Sequence, residues 1–244
     1  MMDYYLGGYL LLHCLPIKGL HPQLDGKPLL TCSTCFNESL LNGWSYGWGL
    51  DDKDTLYDAS TTLFDHLEST FGVDDIAREK IRVWVNEKFE QEHIGWCGVF
   101  MSATTAMEYK KQFFHNSQNC YLLALYFNDS DARRFIAHWQ PKSERDGLLG
   151  IPQNLMLRQP EHDDINEQFL GYDILGLDIG GEFHTSHCHS LHDTLHQRFD
   201  LTLNEHGLYN NIPDWQPVVD YMNDEKTACE PVPWGIAKIK QVIF

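Results

Sequence analysis

Residues 120–127 read Cys-Tyr-Leu-Leu-Ala-Leu-Tyr-Phe, an unbroken run of apolar and aromatic side chains. A continuous run of this length is typical of a strand that is buried on both faces, because neither face alternates with polar residues. The next segment, from Asp129 to Trp139, is predicted to be a helix. A buried strand followed directly by a helix indicates a fold in which helices cover a sheet.

The same alternation extends to both sides of this run. Strands are predicted at Tyr4–Leu15, Phe169–Asp178 and Trp234–Phe244, the last with two lysines at its polar positions. Apolar spacing and capping residues predict five more helices. They run from Asp54 or Thr55 to Gly72, from Val73 to Phe89, from Ser102 to Phe114, from His184 to Phe199, and from Pro213 to Asn223.

Together these elements predict an α+β fold, in which residues 1–244 form a single mixed α/β domain. Its helices are expected to pack on a central sheet that is mixed or antiparallel. Residues 141–167 are polar and carry few periodic apolar positions. This segment is therefore predicted to be a long loop, and it is the one place where an internal domain boundary would fall.

The charge balance narrows the range of partners. The chain carries 35 Asp and Glu against 18 Lys and Arg, which gives a formal net charge of −17. A chain this acidic repels the phosphates of nucleic acids and of anionic membranes, and it attracts basic proteins. We therefore expect a basic protein partner, with no binding to nucleic acid or to a membrane.

Cysteine usage and the N-terminal segment indicate a cytoplasmic protein. Seven irregularly spaced cysteines are an odd number, which argues against a complete set of disulfides and for a reducing compartment. The apolar run at Tyr4–Leu15 is too short to cross a bilayer, and no basic leader precedes it.

Two acidic clusters are candidates for a protein-binding surface. In the first, Trp44 and Trp48 lie among glycines and are followed by Asp51, Asp52 and Asp54. Aromatic side chains beside an acidic rim suit a contact with a basic partner. The alternative is that the two tryptophans fill a corner of the core.

The second cluster has four carboxylates within seven residues, too many to be buried without partners. It is consistent with a docking surface for arginine and lysine, and equally with a solvated loop. Its members are Glu161, Asp163, Asp164 and Glu167, and a weaker patch of the same kind comprises Asp220, Asp224 and Glu225.

Residues 184–196 are rich in histidine, and on one helix the residues four apart would share a face. Imidazole and thiolate are good ligands for zinc or copper. The alternative function is therefore a metal-binding protein or a metal-dependent hydrolase that uses His184, His187, Cys188 and His192. The glutamate of an H-E-x-x-H motif is missing, so a polar helix face is the preferred interpretation and no metal or cofactor is predicted.

Other catalytic patterns are incomplete. Cys32 and Cys35 have C-x-x-C spacing, but no second pair accompanies them, so two buried reduced thiols are predicted. The sequence has no G-x-G-x-x-G, Walker A or G-x-S-x-G pattern. We therefore expect a binding protein that is not an enzyme.

Three segments resemble immunity proteins of bacterial polymorphic-toxin and contact-dependent growth-inhibition systems: 169–184 (FLGYDILGLDIGGEFH), 203–208 (LNEHGL) and 230–234 (EPVPW). The resemblance implies a cytoplasmic antitoxin that binds one cognate basic toxin and blocks its active site. A nuclease toxin, in particular a ribonuclease, would offer the basic cleft that an acidic inhibitor fits. A regulatory scaffold that binds another basic protein is a third possibility.

Overall fold

The computed structural model describes residues 3–33, 35–41, 70–95, 98–115, 118–138, 150–161, 166–177, 183–227 and 229–243. Its strands are β1 (Tyr4–His13), β2 (Glu38–Ser39), β3 (Ile94–Gly95), β4 (Val99–Phe100), β5 (Cys120–Asn128), β6 (Glu167–Leu177), β7 (Phe183–Thr185) and β8 (Trp234–Val242). Its helices are α1 (Asp75–Glu90), α2 (Ala103–Phe113), α3 (Asp129–His138), α4 (Ile151–Leu157), α5 (His192–Phe199) and α6 (Trp215–Met222).

The eight strands within the described ranges belong to one antiparallel sheet. The main order is β3-β4-β1-β5-β8-β6-β7, and β2 pairs with β1 outside this path. The run at 120–127 lies in β5, at the middle of the sheet between β1 and β8. The predicted α+β fold with helices on an antiparallel sheet is confirmed.

The back face of the sheet is covered by α3 and α4. Alternate residues of the central strands, such as Leu123, Leu125 and Ile239, form one apolar cluster with Phe135 of α3 and Leu155 of α4. Since side chains alternate between faces along a strand, the residues between these positions point to the front.

The front face is covered by two separate groups of helices. On one half, Tyr9 and Leu122 pack with α1 and α2. On the other half, Ile174, Trp234 and Ile236 pack with α5 and α6. A strip of the sheet between the two groups carries polar residues, and it is described below.

Two predictions about the second half of the chain are wrong. Within the predicted loop 141–167, residues 151–157 form α4, which packs on β1 and α3. The predicted helix from His184 to Phe199 is broken into the end of β7, a 3₁₀ turn over Ser186–His189, and α5. Phe183–Thr185 pairs with β6, and Ser190 adopts a left-handed backbone with φ of 53°, so no continuous helix can form there.

Asp131 joins three elements of the central fold. Its fully buried carboxylate accepts hydrogen bonds from the Asn128 side chain at 2.7 Å and from the backbone N–H of Ile236 at 3.0 Å, and it also pairs with Arg134. These contacts of Asp131 connect the start of α3 to β5 and β8.

We expect Asp131→Ala to lower the free energy of unfolding by about 3 to 5 kcal/mol, because it leaves buried donors and a cation without their acceptor. Urea unfolding measures this loss. Asp129→Ala is the control: its exposed carboxylate pairs with Arg133 and Arg158, and water screens such pairs, so its loss should be much smaller. Equal losses in the two variants would contradict the role given to Asp131.

Candidate functional site

The strip between the two front helix groups is built on β8. Lys238 and Lys240 occupy alternate positions of this strand and therefore point to the same face. The register places Lys238 opposite Tyr126 of β5 on one side and opposite Tyr172 of β6 on the other. We call this strip the lysine trough.

Two glutamates neutralise the lysines of the trough. Glu161 Oε1 lies 2.5 Å from Lys238 Nζ and 2.8 Å from Lys240 Nζ. Glu167 Oε2 lies 3.4 Å from Lys240 Nζ and accepts a hydrogen bond of 2.9 Å from the Tyr126 hydroxyl. Burial raises the pKa of Glu161, but hydrogen bonds from the two lysines outweigh this effect and hold the pKa below its usual value.

The trough opens into a cavity of about 720 Å³. Its walls carry aromatic side chains together with charges of both signs, a mixture that suits an amphipathic or cationic group of a partner. The residues that define it are Tyr4, Tyr5, Tyr172 and Trp215, with Asp3, Glu161 and Lys238 as the charged members.

The segment that carries α5 and α6 is rich in exposed carboxylates. Residues 192–227 contain seven exposed carboxylates and only two cationic side chains, Arg198 and Lys226. Arg198 lies over the ring of Tyr221, at 4.6 Å from its centroid. We call these carboxylates the acidic layer: Asp193, Asp200, Glu205, Asp214, Asp220, Asp224 and Glu225.

The two predicted acidic clusters differ in how much of each the structure describes. Seven of the predicted contact residues lie outside the described residues: Asp51, Asp52, Asp54, Trp44, Trp48, Asp163 and Asp164. Glu161 and Glu167 pair with lysines of the chain itself, and their contact with a partner stays a prediction. The weaker patch at Asp220, Asp224 and Glu225 is exposed on and just after α6, and it is part of the acidic layer.

The predicted metal ligands separate into three places. His184 and Cys188 lie together and meet Cys35, with the ligand atoms of all three within 4.8 Å of one another. His187 is buried, and its Nε2 lies 2.8 Å from the Gly207 carbonyl oxygen as donor to it. His192 packs edge-on against His21. The four residues therefore do not form a common site, because the helix that would align them is broken.

The environment of these groups sets their protonation. Burial lowers the pKa of His187 to about 4, so the ring is neutral at pH 7. Burial raises the pKa of the Cys188 thiol to about 11, and nearby Cys35 adds to the rise. Cys32 is buried as predicted, whereas Cys35 is exposed, which contradicts the prediction of two buried thiols.

Asp173 is a buried carboxylate that the sequence analysis did not select. It lies on β6 and accepts hydrogen bonds from the hydroxyl of Thr185 on β7 at 2.8 Å and from the hydroxyl of Thr31. It therefore holds the segment before Cys35 against the sheet edge that carries His184. The signal in the sequence was a charged residue inside an apolar strand.

No family model, curated protein or solved structure matches this chain. Within the described ranges, no helix combines the length and the apolar character needed to cross a bilayer.

Asp173 predicts a specific pH dependence of stability. Burial raises its pKa from 3.8 to about 6, so the folded protein binds this proton more tightly than the unfolded chain. The stabilisation is complete below about pH 4 and is lost as the pH rises through 6, a change of about 3 kcal/mol. Asp173→Asn removes it.

The measurement is urea unfolding of the wild type and of Asp173→Asn between pH 4 and pH 7. The stability advantage of the wild type over the variant should be roughly 2 kcal/mol greater at pH 4 than at pH 7, because the unfolded carboxyl is still partly ionised at pH 4. Parallel curves for the two proteins would show that Asp173 does not titrate in this range.

Proposed function

We propose that this chain is an immunity-type inhibitor that binds and neutralises a cognate basic toxin, in particular a nuclease such as a ribonuclease, by covering its active site. The observation that carries the proposal is the acidic layer, where seven exposed carboxylates face solvent with two cationic side chains among them. A basic substrate-binding cleft is the surface that complements such a layer.

Trp215 places an aromatic side chain next to the acidic layer in the chain. Trp215 begins α6, follows Asp214 of the layer, and also lines the cavity of the lysine trough. A partly exposed tryptophan beside carboxylates can stack on an arginine side chain while the charges pair. The layer would thus supply charge matching, and Trp215 would supply an anchor.

The sequence gives independent support. Segment 169–184, which resembles immunity proteins, contributes β6 and β7, and segment 230–234 leads into β8. These strands carry the half of the sheet on which the acidic layer is built. The other predicted contacts remain part of the proposal as further carboxylates and anchors: Asp51, Asp52, Asp54, Glu161, Asp163, Asp164 and Glu167, with Trp44 and Trp48.

Co-expression with the toxin encoded beside the gene for this chain tests the proposed function. We expect the cells to survive, and the two proteins to be purified as a one-to-one complex in which the toxin no longer cleaves its substrate. A lack of protection together with a lack of complex would contradict the proposal. Capture of a basic protein that is not a toxin would favour the regulatory scaffold instead.

Charge reversal tests the surface that makes the contact. We expect Asp220→Lys, Asp224→Lys and Glu225→Lys together to slow association with the toxin by about tenfold or more at low salt, because steering is electrostatic. The difference should shrink at high salt, where charges are screened. Stopped-flow association rates measure the effect.

The matched control carries Glu87→Lys, Glu90→Lys and Glu92→Lys, at the end of α1 and just beyond it. This variant has the same net charge but a different location, so its association rate should stay well above that of the first variant. Equal slowing in both would indicate a general charge effect and would remove the acidic layer as the contact surface.

A further inference from the structure

We infer that Cys35, His184 and Cys188 form a binding site for a thiophilic divalent metal ion, with zinc as the ion that this ligand set favours. The site takes none of its ligands from the acidic layer. It differs from the metal site predicted from sequence, because it takes one cysteine from the C-x-x-C segment and leaves His187 and His192 out.

The distances between the ligand atoms carry this inference. The two sulfur atoms and one ring nitrogen lie within 4.8 Å of one another. Tetrahedral zinc, with bonds of about 2.0 to 2.3 Å, places its ligand atoms roughly 3.5 to 3.8 Å apart. The cluster therefore needs only a small contraction to close around an ion. Thiolate and imidazole are the ligands that zinc prefers in proteins.

The carboxylate of Glu230 lies near a ring nitrogen of His184. His184 Nδ1 is buried and has no hydrogen-bond partner within the described residues, and Glu230 Oε1 lies 3.6 Å from it. Coordination through Nε2 would leave the Nδ1 proton facing this carboxylate. Ligating histidines usually present their second nitrogen to a carboxylate or carbonyl in this way, which fixes the tautomer and orients the ring.

The backbone around the two cysteines is already held in place. The backbone N–H of Cys35 donates to Ser33 Oγ at 3.2 Å, and the same hydroxyl lies 3.7 Å from Cys188 Sγ. Cys188 lies in the 3₁₀ turn directly after β7, which carries His184. Preorganised ligands lose little conformational entropy when an ion binds, so the site can be tight with three ligands.

Three protein ligands leave one position of a tetrahedral ion for water or another small ligand. Cys35 is exposed, so this position would lie at the surface. The ion would join a segment near the N-terminus to the β7 edge of the sheet, and binding only to the folded state would raise its stability.

A second group, His21, His192 and Asp193, also has ligand atoms close together. It contains no thiol, and the side chain of Asp193 is 80 % exposed, so it holds its ligands less firmly. It serves as the competing site in the test below.

The experiment uses the full chain purified without a histidine tag, with its thiols reduced and metal removed by a chelator. Zinc is titrated against a chromophoric chelator, Co²⁺ is added separately to detect thiolate-to-metal charge transfer, and thermal unfolding is followed with and without zinc. We expect one zinc per chain, a thiolate–cobalt band, and a Tm that rises by about 5 to 10 °C when zinc is saturating.

Cys35→Ser is the informative variant, because an exposed cysteine can be replaced without disturbing the core. It should weaken zinc binding on the order of 100-fold, as should Cys188→Ser and His184→Ala. At saturating cobalt, each cysteine variant should also show a weaker thiolate–cobalt band than the wild type, because one of the two thiolates is lost. Two controls should bind like the wild type: Cys120→Ser, which removes a cysteine outside the cluster, and His192→Ala, which removes the competing site.

Three results would overturn the inference. One is a wild-type chain that binds no zinc at micromolar concentration. Another is zinc binding that survives Cys35→Ser but is lost in His192→Ala. The third is a chain isolated under native conditions with Cys35 and Cys188 joined in a disulfide. None of these would bear on toxin binding, which is measured separately.

Discussion

The two lysines on the front of β8 constrain how the sheet can be covered. An ammonium group cannot lie beneath an apolar helix without a partner, because the loss of hydration is too costly. Glu161 and Glu167, which flank the start of β6, supply the partners, and Tyr126 closes the network. The front helices therefore pack as two separate groups, with a charged and aromatic trough between them.

Two kinds of carboxylate can be distinguished within the part of the chain that the structure describes. The first kind binds groups of the chain itself. Glu161 and Glu167 pair with lysines, Asp131 pairs with Arg134, and Asp173 accepts hydrogen bonds from two threonines. The second kind, on α5, on α6 and between them, faces solvent and remains available to a partner. The exposed carboxylates of residues 192–227 thus support a binding function, whereas the buried ones are already paired within the chain.

The proposed metal site and the acidic layer are neighbours in the chain. Cys188 lies in the turn that ends just before α5, where the acidic layer begins. An ion held by Cys35, His184 and Cys188 would fix this turn, and with it the start of α5. The two proposals therefore describe one half of the molecule, in which the β7 edge supports the surface offered to a partner.

Much of the fold could be predicted from the sequence, because most elements have clear local signals. The run at 120–127 is β5, and the predictions at Val73–Phe89 and Ser102–Phe114 match α1 and α2, whose caps Asp74 and Ser102 are readable. The site could not be predicted in the same way.

The site was harder to predict than the fold because it depends on contacts between residues that are distant in the sequence. The pairing of Glu161 with Lys238 and the meeting of Cys35 with Cys188 depend on tertiary structure, which leaves no mark on spacing. The broken helix at 184–199 was missed because its histidines have helical spacing, whereas pairing of Phe183–Thr185 with β6 overrides this local pattern.

Hydrogen exchange in the free chain and in the complex shows whether the acidic layer makes the contact with a basic toxin. We expect amides of residues 192–227, around Trp215 in particular, to exchange more slowly in the complex, with α1 unchanged. Protection confined to α1 and α2, with no change in 192–227, would contradict the proposed contact.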